Sequence, residues 1–477
     1  MINPPDRPFV DGESCDSDLG TTLSLVNPAT ELPWAEVKQA SPSLTDRAVV
    51  SAQKTFEQSW RDLAPGKRAQ ILFAIAHEIR ARLEDLAQLE CRNIGKPIAD
   101  ARDEIGLGAT VFEYYAGAID KFCGETIPVA RGGFDFTLHE PLGVVAAITP
   151  WNFPFPIACW KVAPALAAGN CVVLKPANLS PLTALALGEI AAQAGLPAGA
   201  LQVIPGSGAS LGAVLTSHPL IRKISFTGST EVGRGIMREA SNDLKRVSLE
   251  LGGKSPNIVF ADANLKRAAD ESPMSVFANT GQDCCARSRV FVEKSVFDEF
   301  VERFLAATKA LRVGAPEEEK TQLGPLVSSS QRETVASFVD DARKTGQEIL
   351  VGGPGQQDKG YYWNPTVILN SDYSDRCWQE EIFGPVVCLT SFEDETAMLA
   401  EANRTPYGLS GSIWTQDISR ALRVSRRIEA GVLSVNSHSS VHVQAPFGGF
   451  KQSGLGRDLG MHALKGYTEL KNVYVAE

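Results

Sequence analysis

The chain has 477 residues, 44% hydrophobic and 21% charged, with a formal net charge of -10 at pH 7. That length exceeds one ordinary core, so two or three domains are expected, and an acidic balance without any basic run excludes a nucleic-acid-coating role. Nine cysteines without a Cys-x-x-Cys pair, no signal-like pattern in residues 1–7 and no apolar run near the roughly 20 residues that span a bilayer argue against a disulfide scaffold, a metal site and a membrane protein, and point to the cytoplasm.

Residues 8–40 read as short strands broken at Asp11-Gly12 and Asn27-Pro28. Ser43 is expected to cap a helix whose buried face is Val49, Ala52 and Phe56. One long helix follows Pro65-Gly66. It carries Ile71, Leu72, Ile75, Ile79, Leu83 and Leu86 at spacings of three and four, and it stops near Gly95-Lys96-Pro97. A third helix covers about 98–119, and this helical layer reads as cover without chemistry. Residues 134–138 and 470–475 have strand composition at distant positions. They need partners, from each other or from a second copy of the chain, so a homo-oligomer (dimer or tetramer) is expected.

From Gly143 the rhythm changes. Apolar strands over 144–149, 171–174, 201–204 and 223–226 alternate with helices over 155–168, 182–193, 209–216 and 231–240. This pattern specifies an α/β fold with a doubly wound parallel sheet, whose ligands bind at the carboxyl ends of the strands. Those ends carry Thr149-Pro150-Trp151-Asn152, Lys175-Pro176-Ala177-Asn178 and Thr227-Gly228-Ser229-Thr230. Two glycine turns compete for a phosphate. The turn at Gly206-Ser207-Gly208 has its third glycine one residue late, whereas Gly228-Ser229 closes a strand and opens a helix, so Ser229 ranks first.

Glu250 follows, a carboxylate at an apolar strand end beside Gly252-Gly253. Half-buried there, it would have its pKa raised toward that of a general base. After a helix over 265–278 comes the loop Gly281-Gln282-Asp283-Cys284-Cys285, and then a strand over 290–292. A thiol on such a loop can be held in a cleft; the alternative is that both cysteines only fill space.

Seven stretches in order resemble the aldehyde dehydrogenase superfamily over essentially the whole chain. They are Pro150-Trp151-Asn152-Phe153-Pro154, Lys175-Pro176-Ala177-Asn178, Phe226-Thr227-Gly228-Ser229-Thr230, Leu249-Glu250-Leu251-Gly252-Gly253-Lys254, Gly281-Gln282-Asp283-Cys284, Glu381-Ile382-Phe383-Gly384-Pro385 and Pro446-Phe447-Gly448-Gly449-Phe450-Lys451-Gln452-Ser453-Gly454. The resemblance implies a dinucleotide-binding domain from 1–120 and 141–252 and an α/β catalytic domain from 253–455. It also implies a small β oligomerisation segment from 121–140 and 456–477.

The activity so implied is NAD(P)-dependent oxidation of a small-molecule aldehyde to a carboxylic acid. Cys284, not Cys285, is the nucleophile by this resemblance, and Glu250 activates water. The Asn152 amide and the Cys284 N–H make the oxyanion hole, while Lys161 and Asn436 lie near the reacting centre. Cofactor contacts fall to Thr149, Pro150, Trp151, Lys175, Ala177, Asn178, Gly208, Phe226, Gly228, Ser229, Leu251, Glu381 and Phe383. Lys175 would meet the adenosine ribose, Ser229 the pyrophosphate, Glu381 the nicotinamide ribose and Phe383 the nicotinamide.

NAD is the expected cofactor. Asn178 stands where NAD-preferring relatives often have Glu, so a 2′-phosphate meets no repelling carboxylate and NADP is expected to be tolerated. Ile157, Trp160, Asp283, Cys285, Val441 and Phe447 should line the aldehyde tunnel. Asp283 either attracts a cationic aldehyde, as in the aminoaldehyde and betaine-aldehyde branch, or shapes the loop by accepting from backbone amides. Two other activities stay open. A CoA-acylating enzyme would not need Glu250, and a cysteine hydrolase would need a histidine that the sequence does not place near Cys284.

Overall fold

Uninterrupted apolar character drives the central strands inside. The computed structural model describes residues 4–16, 18–370 and 372–476, so the reading of residues 1–3 lies outside it. Strands Val144–Ile148, Cys171–Lys175 and Leu201–Val203 are buried at every residue. Together with Ile221–Thr227 and Arg246–Glu250 they form the parallel heart of an eight-stranded sheet. The first of these strands lies at the centre. The chain winds outward from it on one side through Cys171–Lys175 and Leu201–Val203, and on the other through Ile221–Thr227 and Arg246–Glu250. The strand order therefore reverses between Val144–Ile148 and Ile221–Thr227, which opens a crevice at their carboxyl ends.

A second, seven-stranded sheet is parallel apart from its edge pair, Glu348–Pro354 against Trp363–Leu369. Pro256–Val259 lies near its middle, between Arg289–Glu293 and Ser410–Trp414. The two isolated strand segments pair with each other: Phe134–Pro141 runs antiparallel to Thr468–Val475, with Phe134 opposite Val475 and Pro141 opposite Thr468. No helix is long and apolar enough to cross a membrane among the described residues.

Several local expectations are corrected. Ser41, not Ser43, caps the helix Pro42–Thr55, its Oγ accepting from the Leu44 amide at 3.1 Å. Pro42 at the first helical position sets the start two residues earlier. The expected single helix after Pro65 is two, Pro65–Ala81 and Leu83–Ile94, because Arg82 leaves the helical region. Glu84 and Asp85 then favour a new N-terminus through the helix dipole. Gly95 closes the second helix in the left-handed conformation, as its position suggested. The helix expected over 265–278 breaks into Leu265–Glu271 and Met274–Phe277 around Pro273, which offers no amide to continue it.

Helices Ile98–Ala118 and Pro154–Ala167 cross closely at Gly108. A Cβ there would lie 2.6 Å from Phe155 Cε1 and 3.0 Å from Cys159 Sγ. The second helix carries Trp160 and Lys161, so this contact sets their depth. Gly108→Val is expected to cost about 1–3 kcal/mol through overpacking, read as a lower urea midpoint; an unchanged midpoint would show that the contact yields.

Candidate active site

The Cys284 loop is held by an unusual backbone. After Met274–Phe277, residues Asn279, Thr280 and Gly281 take φ values of 51°, 55° and 70°, all left-handed. For a β-branched residue such as Thr280 this is strained, and it persists only where surroundings over-determine it. Here they do. Asn279 Nδ2 donates to the carbonyls of Asn152 (2.9 Å) and Gln282 (3.1 Å), and Gln282 Nε2 donates back to the Asn279 carbonyl at 3.1 Å. Gln282 Oε1 accepts from the Val327 amide at 2.9 Å, and Thr280 Oγ1 donates to the Gly324 carbonyl at 3.0 Å. Gly281 admits no side chain, since a Cβ would sit 2.1 Å from the Gly384 oxygen. Gly281-Gln282 before Cys284 thus answers a backbone requirement.

Two cavities meet at Cys284. One is lined by Pro150, Trp151, Asn152, Gly228, Ser229, Gly252, Glu381 and Phe383, at the crevice where the strand order reverses. The other, about 380 Å³, is lined by Ile157, Trp160, Asp283, Cys285, Val441 and Phe447, all six of the residues expected along a tunnel. Thr227, Glu250, Leu251 and Cys284 belong to both. Thr149, Lys175, Ala177, Asn178, Gly208 and Phe226 do not line the first cavity. Gly208 opens a turn of π-helix, Gly208–Gly212, capped by Ser207, where a regular helix was expected.

Glu250 is buried more deeply than the half-burial expected, at 4% exposure, and neither carboxylate oxygen has a protein partner. Gly448 makes room for it, since a Cβ there would lie 2.6 Å from Oε1. Burial, and then the nearby Asp458, push its pKa well above the ordinary carboxylate value, while Lys161 and Arg457 pull the other way. Lys161 itself lines neither cavity. It lies fully buried, donating to Asp458 Oδ2 at 2.9 Å and Ser225 Oγ at 3.2 Å. Asn436 also lines neither cavity, which corrects its expected place. Both ends of its amide are spent on Thr415, Nδ2 to the carbonyl at 2.8 Å and Oδ1 from the amide at 3.1 Å.

A hydrogen bond with Cys285, and then burial, raise the Cys284 thiol well above its usual pKa, so at rest it is protonated and needs a base. Asn152 Nδ2 donates to the Gln282 carbonyl at 2.9 Å, leaving its second N–H for a ligand. Asp283 makes the loop contact expected of one reading and faces the cavity that the other reading requires. Oδ1 accepts from the Cys285 amide at 2.8 Å, and the carboxylate lines the 380 Å³ cavity. Glu381 Oε1 accepts from the Gly253 amide at 3.0 Å, and burial raises it to about 7. Burial lowers Lys175 to about 8. Ring pairs Trp151–Phe383 and Trp160–Phe447, both at 5.3 Å, wall the two cavities.

Sequence reasoning missed several lining residues. Asp100, Asp103 and Glu104, on the helix read as mere cover, line the tunnel. Their i, i+3, i+4 spacing puts them on one face and was the available signal. Burial raises Glu104 to about 8 against the pull of Lys96, with which it is ion-paired. Arg287 is buried with no carboxylate partner among the described residues. It donates to the Cys285 carbonyl and to Ser440 Oγ, each at 2.8 Å, and so clamps the nucleophile loop to the opposite wall.

A cysteine and a buried carboxylate stand where a crevice at the strand-order reversal meets a second cavity walled by aromatic rings, an arrangement of the kind dinucleotide-dependent oxidoreductases carry. The model of the aldehyde dehydrogenase family matches residues 15–473. An aldehyde dehydrogenase of Enchytraeus buchholzi is 43% identical over 471 residues, 98% of this chain and 95% of that protein. The NAD+ complex of a Bacillus cereus aldehyde dehydrogenase superposes with a TM-score of 0.96 at 39% identity, covering 98% of this chain and 96% of that one. Betaine aldehyde dehydrogenase from Staphylococcus aureus, in complex with NAD+, gives 0.96 at 36% identity, covering 99% and 94%. The chain belongs to the aldehyde dehydrogenase family.

Glu250 also makes stability pH-dependent. Its folded pKa lies above the unfolded value of 4.5, so the folded state keeps a proton that the unfolded state releases. Stability therefore falls as pH rises from 4.5 toward the folded pKa. Glu250→Gln removes that loss. It is expected to be more stable than the parent at alkaline pH, by about 1–3 kcal/mol, with the gain fading as pH falls toward 4.5. Thermal melts across pH test this, and a gain that does not change with pH would contradict it.

Proposed function

We propose that the chain oxidises an aldehyde to its carboxylic acid through a thioester on Cys284, with NAD as hydride acceptor and water activated by Glu250. The carrying observation is that Cys284 and Glu250 both stand at the junction of the two cavities. The crevice suits a dinucleotide. Ser229 caps the helix Thr230–Ala240, whose amide end favours a pyrophosphate, and Asn178 keeps a buried carbonyl oxygen without a partner, an acceptor for a ribose hydroxyl. NAD, when bound, supplies the hydride-accepting carbon.

In its ionised form Glu250 takes the Cys284 thiol proton and loses it to solvent, so that the carboxylate is free again for the later step. The thiolate then attacks the aldehyde carbon, giving a thiohemiacetal whose oxyanion meets Asn152 Nδ2–H and the Cys284 N–H. Collapse of that oxyanion expels the aldehyde hydrogen as hydride and leaves a thioester. Glu250 next removes a proton from water, and the resulting attack frees the acid and the thiol. Lys161 and Asp458 tune Glu250 from behind. Transfer of the thioester to CoA is disfavoured by a base so close to Cys284. A cysteine hydrolase is disfavoured too. His438 lines the tunnel, but its nitrogens face Ser412 Oγ (2.9 Å) and Ser272 Oγ (3.4 Å), and burial lowers its pKa to about 3.

The substrate is a cationic aldehyde, of the aminoaldehyde or betaine-aldehyde type. Asp100, Asp103 and Asp283 line the tunnel against the single Arg287, Glu104 being paired with Lys96, with Trp160 and Phe447 as aromatic walls. NADP is tolerated through Asn178. The ribbon of Phe134–Pro141 and Thr468–Val475 exposes Phe134, Leu138, Leu470, Tyr474 and Val475, an apolar surface suited to a second copy of the chain. Free thiols at all nine cysteines suit a reducing compartment such as the cytoplasm.

In an aldehyde panel with NAD and NADP, turnover should vanish in Cys284→Ala, and Asn152→Ala should lose about 100–1000-fold in kcat. Activity that survives Cys284→Ala overturns the mechanism. Asp283→Ala should lower kcat/KM about tenfold more for a cationic aldehyde than for a neutral one; equal losses leave the carboxylate to its loop role. An NAD preference above about 1000-fold (roughly 4 kcal/mol) refutes the role given to Asn178.

A further inference from the structure

The thiol of Cys285 has no place in the oxidation, yet it lies beside the nucleophile. Ligand atoms of Asp283, Cys284 and Cys285 all fall within 4.8 Å of one another. All three residues line the tunnel, so a small solute that enters it reaches them. Asp283 accepts from the Cys285 amide at 2.8 Å, and its carboxylate also hydrogen-bonds the Cys284 thiol, so the carboxylate and both sulfurs already face one another. This is a mixed thiol and carboxylate set that no spaced cysteine pair announces, because its members are consecutive.

We propose that Asp283, Cys284 and Cys285 form a reversible binding site for a soft divalent cation of the zinc class, and that occupancy switches the enzyme off by capping its nucleophile. A tetrahedral zinc with Zn–S near 2.3 Å and Zn–O near 2.1 Å sets its ligand atoms roughly 3.5–3.8 Å apart. Closing from 4.8 Å asks about 1 Å of side-chain movement, within the reach of rotamer shifts on an irregular loop. Binding converts two thiols to thiolates and releases two protons, with no change of oxidation state, and the fourth position faces the tunnel for water. The charges balance locally. Two thiolates and one carboxylate face a dication and the buried guanidinium of Arg287, which already donates to the Cys285 carbonyl at 2.8 Å. A disulfide between adjacent cysteines would be strained, whereas a metal spans the pair without that strain. Aldehyde and metal exclude each other, because both need the Cys284 sulfur.

The test uses the untagged, cofactor-free enzyme and zinc alone, competed against a chromophoric chelator, so no turnover enters the readout. The parent should bind one tight equivalent, with affinity rising with pH as protons are released. That zinc should slow alkylation of Cys284 by iodoacetamide, followed by mass spectrometry of the loop peptide. Cys285→Ala and Cys284→Ala should each weaken that equivalent by roughly 100-fold or more, since even outer partners of a metal cost about 10–100-fold when lost. Cys123→Ser, at an exposed thiol, should leave it unchanged. Equal tight binding by the parent and Cys285→Ala overturns the proposal, as does alkylation of Cys284 at the metal-free rate in the zinc-loaded parent. Asp283→Asn should weaken binding at least about tenfold; unchanged binding removes the carboxylate from the site.

Discussion

Three side-chain amides hold the functional half of this molecule together. Asn279 donates to the carbonyls of Asn152 and Gln282, Gln282 donates to the carbonyl of Asn279, and Asn152 donates to the carbonyl of Gln282. Asn152 belongs to the end of the eight-stranded sheet, and the other two belong to the loop that feeds the seven-stranded one. The knot therefore does two things at once. It offsets the strain of the consecutive left-handed residues Asn279, Thr280 and Gly281, and it fixes the nucleophile against the crevice of the other sheet. Lys96 adds to it by donating to the Asn152 carbonyl at 2.9 Å while its ammonium lies 4.3 Å from the centre of the Phe153 ring.

Around that knot the site keeps polar groups in states that a merely stable protein would avoid. Glu250 is buried with both oxygens unpaired, and Lys254, from the same glycine-rich motif, has a buried ammonium with no partner. Such groups cost stability, and buried carboxylates whose pKa is pushed above the ordinary value are concentrated at functional sites, where that cost is tolerated. The buried pair of Lys161 and Asp458 behaves differently. Each satisfies the other, and on top of the larger effect of burial they act on the Glu250 pKa in opposite directions. Removing either alone would leave an uncompensated buried charge, so the pair is a tuning device as well as a structural one.

The tunnel shows where reading residues in a line falls short. Trp160, Ile157, Asp283, Cys285, Val441 and Phe447 were legible because they stand near motifs with a recognisable order. Asp100, Asp103 and Glu104 were not, since they sit on a helix whose apolar stripe is explained by packing alone. Only the crossing at Gly108 brings that helix onto Pro154–Ala167 and turns its acidic face toward the cavity. Arg287 was invisible for a related reason. An arginine in a loop reads as solvated until the fold buries it and directs its donors to carbonyls and hydroxyls. Asn436 shows the opposite error, a residue near the site in sequence order whose amide is consumed by Thr415.

Periodicity and strand-end chemistry determined much by themselves. Apolar runs that alternate with helices are buried in a parallel sheet, so the crevice and Ser229 follow from local pattern, whereas Glu250 and the Gly281-Gln282-Asp283-Cys284 loop gained their expected roles from the resemblance of seven motifs in order. What tertiary structure alone decided depends on contacts between distant segments. These are the full burial of Glu250, the retreat of Lys161 behind it, the pairing of Phe134–Pro141 with Thr468–Val475 and the convergence of distant segments on the tunnel. Burial and pKa arise from the sum of surrounding atoms, and neighbours in space are not neighbours in sequence. Residue order can therefore name the chemical groups, while their protonation and their partners emerge only when the two sheets close on one another.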